Sequence, residues 1–271
     1  MNRLTPAFLM SAVFLSGCSH LESLKTMAGV PAADKTPAVD NEAENCAKQF
    51  STKPGREGEP SPRQDAGKDY LDAVYWCTKA SEKGDSRSQY LLTGLYEKGL
   101  GVAKNQQTAL RWYKQSAEHG YADAQFRLGI VYGKGEGVPQ DKIEATRWYT
   151  KAAQQGQAEA QLFMGYRHEH GKGVTQSYPE AWNWYLKSAA QGNATAMNYL
   201  GGMALEGRGV PQNHIEAYKW YNLAATTGEE QFTANRDKVV KKLSPRQLEE
   251  GQKSAEEWSS THPAPWKSNY L

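Results

Sequence analysis

Trp76, Trp112, Trp148, Trp184 and Trp220 follow one another at a spacing of 36 residues, and Gly84, Gly120, Gly156, Gly192 and Gly228 keep the same beat. A fixed period of this length marks a repeat array. Each unit is a small supersecondary element that cannot bury its own apolar face and must stack on its neighbours. Function is therefore to be sought on a stacked surface rather than in one deep cleft.

Further columns fix the shape of a unit. Ala109, Ala145, Ala181 and Ala217 share one, and Ala117, Ala153, Ala189 and Ala225 another. Gly99, Gly135, Gly171 and Gly207 recur, each followed two residues later by Gly101, Gly137, Gly173 or Gly209. Within one unit, Ala109, Trp112, Tyr113, Ser116 and Ala117 form the i, i+3, i+4, i+7, i+8 stripe of an amphipathic helix. Gly120 stands where such a helix takes a left-handed C-terminal cap. A second helix carries Ala124, Leu128, Gly129 and Tyr132 on one face and ends at the Gly135 and Gly137 turn. The small columns let helix axes approach closely while tryptophan and tyrosine fill the remaining space. The expectation is an all-α solenoid of antiparallel helix pairs.

The sequence resembles the Sel1-like repeats, relatives of the tetratricopeptide repeat. The resemblance is carried by Leu128-Gly129 with Tyr132, the run GKGEGVPQD from Gly133 to Asp141, Ala145 with Trp148-Tyr149, and Lys151-Ala152-Ala153 with Gly156. It covers roughly residues 70–243. It implies a right-handed α-solenoid that binds other proteins on a concave side lined by the first helix of each pair, with no catalytic motif. Departures are modest: Ala103 and Thr175 stand in the column of Pro139 and Pro211, His168 and Ala204 in that of Tyr132, and Cys77 in that of Tyr113.

At the start of the chain, Arg3 precedes an apolar run from Leu4 to Leu15, which is too short to span a bilayer as a helix and has the proportions of a secretory signal. Leu15-Ser16-Gly17-Cys18 resembles the bacterial lipobox, in which the cysteine is lipidated. The alternative is an ordinary signal peptide with an incidental cysteine. A lipidated Cys18 would tether the chain without a transmembrane helix, and Ser19 resembles an outer-membrane sorting signal, which places the protein on the periplasmic side of that membrane. The following short polar residues, with Pro31 and Pro37, read as a tether spanning roughly 25 Å for about 20 residues of coil.

Export to an oxidising compartment leaves Cys46 and Cys77 as an even pair, expected to be bridged, with two unpaired buried thiols as the alternative. The first unit lacks a tyrosine ring at Cys77, and a short helix from Glu42 to Phe50 could fold over that gap. At the other end, Gln231 to Leu243 continues as an amphipathic helix, and Ser244-Pro245-Arg246-Gln247 matches a capping-box start. The chain thus divides into a signal peptide (1–17), lipidated N-terminus and tether (18–41), N-terminal cap region (42–69), repeats (70–228), C-terminal capping helices (229–258) and an irregular tail (259–271).

Lys and Arg number 32 against 30 Asp and Glu, and Arg3 leaves with the signal, so the remaining balance of 31 to 30 is near zero. Nucleic acid would call for a basic stripe. The histidines of Tyr166-Arg167-His168-Glu169-His170 stand two apart, which on a helix points them about 200° from each other and makes a poor chelate. The glycine runs lack phosphate-loop spacing. Neither a catalytic residue, nor a metal site, nor a cofactor is expected.

Partner contacts are expected where columns vary between units. In the first helix of each pair these are Leu91, Arg127, Phe163 and Tyr199; Gly94, Ile130, Tyr166 and Gly202; and Leu95, Val131, Arg167 and Met203. Arg127, Ile130, Phe163, Tyr166, Arg167, Tyr199 and Met203 are the candidates, since such residue types dominate interface cores, while some of the apolar ones could instead fill gaps between repeats. The leading expectation is a lipid-anchored, monomeric adaptor for an envelope protein. The resemblance also admits an immunity protein against a secreted toxin such as a phospholipase, and a β-lactamase-like hydrolase, although the family members linked to that chemistry are rich in cysteine.

Overall fold

The computed structural model describes residues 39–50 and 66–262. Cys18, the signal peptide and the tether up to residue 38 lie outside the described residues, as does the tail from residue 263.

All regular structure among the described residues is helical. The helices are α1 (Val39–Phe50), α2 (Ala66–Glu82), α3 (Ser86–Lys98), α4 (Gln106–Glu118), α5 (Ala122–Lys134), α6 (Lys142–Gln154), α7 (Ala158–His170), α8 (Tyr178–Ala190), α9 (Ala194–Glu206), α10 (His214–Ala225), α11 (Glu230–Val240) and α12 (Pro245–Thr261). The pairs α3/α4, α5/α6, α7/α8 and α9/α10 are the 36-residue units, each an opening helix, a glycine turn and a closing helix. The chain is an all-α solenoid.

Helix ends are set by repeated local chemistry. Each opening helix stops at a left-handed glycine, as at Gly135, whose φ is 77° and whose N–H donates to Val131 O. Each closing helix begins at a short polar side chain that caps it: Asn105 Oδ1 accepts from Thr108 N at 3.0 Å, Asp141 Oδ1 from Glu144 N at 2.9 Å, and Asn213 Oδ1 from Glu216 N at 3.1 Å.

Two columns lock the units. Tyr149, Tyr185 and Tyr221 lie against Gly129, Gly165 and Gly201, where an added Cβ would come within 2.7, 2.5 and 2.7 Å of the ring. The second column is buried and polar. The side-chain amides of Gln89, Gln125 and Gln161 donate to Ser81 O, Ala117 O and Ala153 O at 3.0, 3.0 and 3.1 Å, completing carbonyls at the end of the preceding helix. Gln155 and Gln191 in turn donate to the side-chain oxygens of Gln125 and Gln161. The recurrence of glutamine at 89, 125 and 161 is the sequence signal for this clamp.

Cys46 and Cys77 are disulfide-bonded and fully buried. Together with Phe50 and Leu92 they fill the space that a tyrosine ring takes in later units. Lys83 pairs with Glu42 at 2.7 Å beside them. Helix α1 begins at Val39, three residues before the cap region drawn from sequence.

At the C-terminal end Ser244 and Gln247 form the expected capping box. The last helix runs past Trp258 to Thr261, so residues 259–261 are not part of an irregular tail. The reason is local: Ser260 and Thr261 hydroxyls donate back to Glu257 O and His262 N–H closes on Trp258 O. Trp258 packs edge-on to Trp220 at 4.8 Å, so this helix caps the array with an indole as well as a polar outer face.

Candidate functional site

The opening helices α5, α7 and α9 meet side chain to side chain. Phe126 and Phe163 stand 5.3 Å apart, edge to face, and Tyr166 and Tyr199 are 6.4 Å apart. Phe163 also touches Tyr149 at 5.2 Å, and Tyr199 stacks on Tyr185 at 4.9 Å with the rings 5° from parallel. The aromatic residues of one surface are thereby seated on the tyrosine column of the core. Rings held this way present apolar area with little rotamer entropy left to lose.

Of the partner contacts expected from sequence, Phe163 is exposed at 37 %, Arg127 is exposed, and Ile130, Tyr166 and Tyr199 are half-buried with a free edge. Arg127 lies beside the Tyr90 phenol, which favours its charged form. Burial pushes the Tyr199 phenol up, with Glu169 and Tyr166 adding to it, so it stays a neutral donor. Tyr166 is held by its neighbours: Lys172 Nζ donates to its hydroxyl at 2.8 Å and sits 4.6 Å over its ring, and His170 packs on the ring at 4.2 Å.

Two of the seven belong elsewhere. Arg167 is only 9 % exposed, and its guanidinium is spent inside the array: Nε donates to Thr146 Oγ1 at 3.0 Å, Nη2 to Lys142 O at 2.8 Å, and it lies 5.3 Å from the Tyr149 ring centre. Burial lowers its proton affinity, with the Tyr149 phenol opposing the shift. Met203 is fully buried among Tyr185, Leu200 and Trp220. Each stands one turn after a surface aromatic, Phe163 or Tyr199, and is held inward by what it meets there: Thr146 and Lys142 O for Arg167, and the cluster of Leu200 and Trp220 for Met203.

Glu169 was legible only as part of a histidine-flanked run. It is buried, accepts from Tyr185 Oη at 2.7 Å and pairs with Arg208 of the next unit, so it is a structural ion pair between repeats. His168 and His170 fall on opposite sides of the last turn of α7, and no group of three or more His, Cys, Asp or Glu suited to a metal occurs among the described residues. No described helix is long and apolar enough to cross a membrane.

Five consecutive segments, residues 62–85, 86–121, 122–157, 158–193 and 194–228, match the family described as Sel1 repeat. The chain belongs to the Sel1 repeat family. The last four segments coincide with the units above, each beginning at an opening helix, and the first holds α2, which is in the register of a closing helix. The protein is similar to a protective antigen of uropathogenic Escherichia coli with the same repeat fold, at 33 % identity and a TM-score of 0.65, over 83 % of this chain and 48 % of that one. The Sel1 chain thus spans about half the length of that relative. It is also similar to a Sel1 repeat protein from Oxalobacter formigenes, at 32 % identity and a TM-score of 0.61, covering 70 % of this chain and 78 % of that one. An immunity protein from Pseudomonas aeruginosa shares 18 % identity at a TM-score of 0.47, over 89 % and 90 % of the two chains. A comparison with curated proteins finds no match.

Proposed function

We propose that this Sel1 repeat protein is a non-catalytic adaptor, held at the periplasmic side of a bacterial outer membrane through lipidated Cys18, that binds a partner protein on the face made by its opening helices. The supporting observation is the aromatic strip of Phe163, Tyr166 and Tyr199 with Ile130, which leaves apolar surface in solvent while being fixed from beneath by the tyrosine column. Pre-ordered aromatic side chains of this kind are the usual anchors of protein interfaces. The anchor itself rests on the lipobox resemblance around Cys18.

The test is capture from envelope extract on the immobilised chain beginning at Ser19, compared with the Phe163→Ala/Tyr166→Ala double variant. One dominant protein, lost on the double variant, is the expected result. Equal retention by both would move the interface off this face. The identity of the captured protein separates an envelope adaptor from an immunity protein, and a Cys18→Ser chain found outside the membrane fraction would support the anchor.

A further inference from the structure

The corresponding slot at successive unit junctions is filled by different residues. Between the units of residues 122–157 and 158–193, Arg167 lies in it, bounded by Thr146, Tyr149 and Gly173 and bonded to Lys142 O, with a shallower space of about 320 Å³ left beside Ile143, Thr146 and Gly173. At the following junction, Trp182, Met203 and Tyr185 line the slot, Arg208 pairs with Glu169, and Tyr185 donates to that same carboxylate. Each of these junctions thus carries a guanidinium of the chain's own.

The junction between the units of residues 86–121 and 122–157 has the same frame with different contents. Tyr113 Oη donates to Glu97 Oε2 at 3.1 Å, the counterpart of Tyr185 and Glu169 two units on. The Arg167 column holds Val131, the Thr146 column holds Leu110, and the Arg208 column holds Glu136. Both arginines are missing, and a cavity of about 460 Å³ remains, lined by Glu97, Leu110, Tyr113, Val131, Glu136 and Gly137. That is enough room for a long side chain. The cations nearby do not occupy it: Lys134 pairs with Glu136 at 3.3 Å with both side chains more than half exposed, and Arg127, beside Tyr90, is close enough to feel the charge of Glu97 but makes no salt bridge to it.

We propose that this slot takes an arginine side chain presented by the protein that binds the scaffold, its guanidinium meeting Glu97 and Tyr113 as Arg208 meets Glu169 beside Tyr185. The inference rests on the protein-binding reading above. Leu110, Tyr113 and Val131 would flank the aliphatic stem, and the planar guanidinium suits a carboxylate beside a phenol better than a lysine ammonium does.

The probe is Nα-acetyl-arginine-methylamide, titrated into the isotope-labelled full chain in mild detergent and followed through backbone amide shifts of Leu110, Val131 and Gly137. Saturable shifts are expected, with the citrulline analogue, which lacks the charge, producing none. Glu97→Gln should weaken binding roughly tenfold, the size expected for loss of one charged hydrogen bond. Glu136→Arg, which restores the arginine column in cis, should abolish binding and raise the melting temperature. The proposal is overturned if these amides do not shift, if citrulline shifts them equally, or if Glu97→Gln or Glu136→Arg binds as the unaltered chain does. Saturable arginine binding by a chain that captures no protein would uphold the slot and overturn the adaptor reading instead.

Discussion

The ring of Tyr185 lies so close to Gly165 that a Cβ on that glycine would stand 2.5 Å from Cδ1, and the phenol at the far end of the same ring donates to buried Glu169 at 2.7 Å. One tyrosine thus fixes both the approach of α7 to α8 and, through Arg208 on Glu169, the seat of the next unit.

Gly165→Ala should therefore destabilise the fold by about 1 to 3 kcal/mol through overpacking, because the ring is held at both ends and has nowhere to shift. Gly94→Ala is the control. Nothing lies within 4 Å of its added methyl, and it should stabilise α3 by about 0.5 to 1 kcal/mol. Urea unfolding followed by circular dichroism reads both, and equal signs would refute the packing account.

Trp148 is buried with Ala124 and Leu128 of its own unit and Ala117 of the unit before, and Trp148→Ala should cost about 3 to 5 kcal/mol through the cavity it leaves. Tyr166→Ala should cost less than about 1.5 kcal/mol, since it removes ring contacts at a half-exposed site. Comparable losses in thermal unfolding would place Tyr166 in the core and remove it from the binding face.

Burial pushes the Tyr149 phenol up from 10.0 to about 12, against a lowering by nearby Arg167. The folded state holds that proton more tightly than the unfolded chain, so the associated stability is complete below pH 10 and disappears as pH rises towards 12. Urea midpoints of the native chain should fall across this window, and Tyr149→Phe should flatten the fall. An unchanged slope in that variant would assign the effect to other tyrosines.

Breaking the Cys46–Cys77 bridge, which spans 31 residues of sequence, should remove about 3 to 4 kcal/mol. Hydrogen exchange should then show lost protection in α1 while α5 to α10 remain protected, because a solenoid couples mainly nearest neighbours. Loss across the whole array would show that the cap nucleates the fold.

Most of the architecture was legible because a 36-residue period repeats the same physical demands. Gly135 and its equivalents had to end helices, and Trp148-Tyr149 had to face inward. The binding face was legible only in part. Phe163, Tyr166 and Tyr199 were found by their variation between units, but the same signal selected Arg167 and Met203, which vary because each fills a differently shaped junction. Variation marks both surfaces free to contact a partner and core sites where neighbouring changes compensate, and sequence spacing does not separate the two.

The sequence by itself determined the pairing of the repeat helices, their glycine stops and the cysteine pair, since these follow from local periodicity and chemistry. Only the tertiary structure decided which side of each helix meets a neighbour. It buried Arg167 over Tyr149, left Phe163 in solvent, and kept a cavity beside Glu97 where later units place an arginine. Those outcomes depend on how volumes from three helices sum at one junction, a quantity that no single column contains.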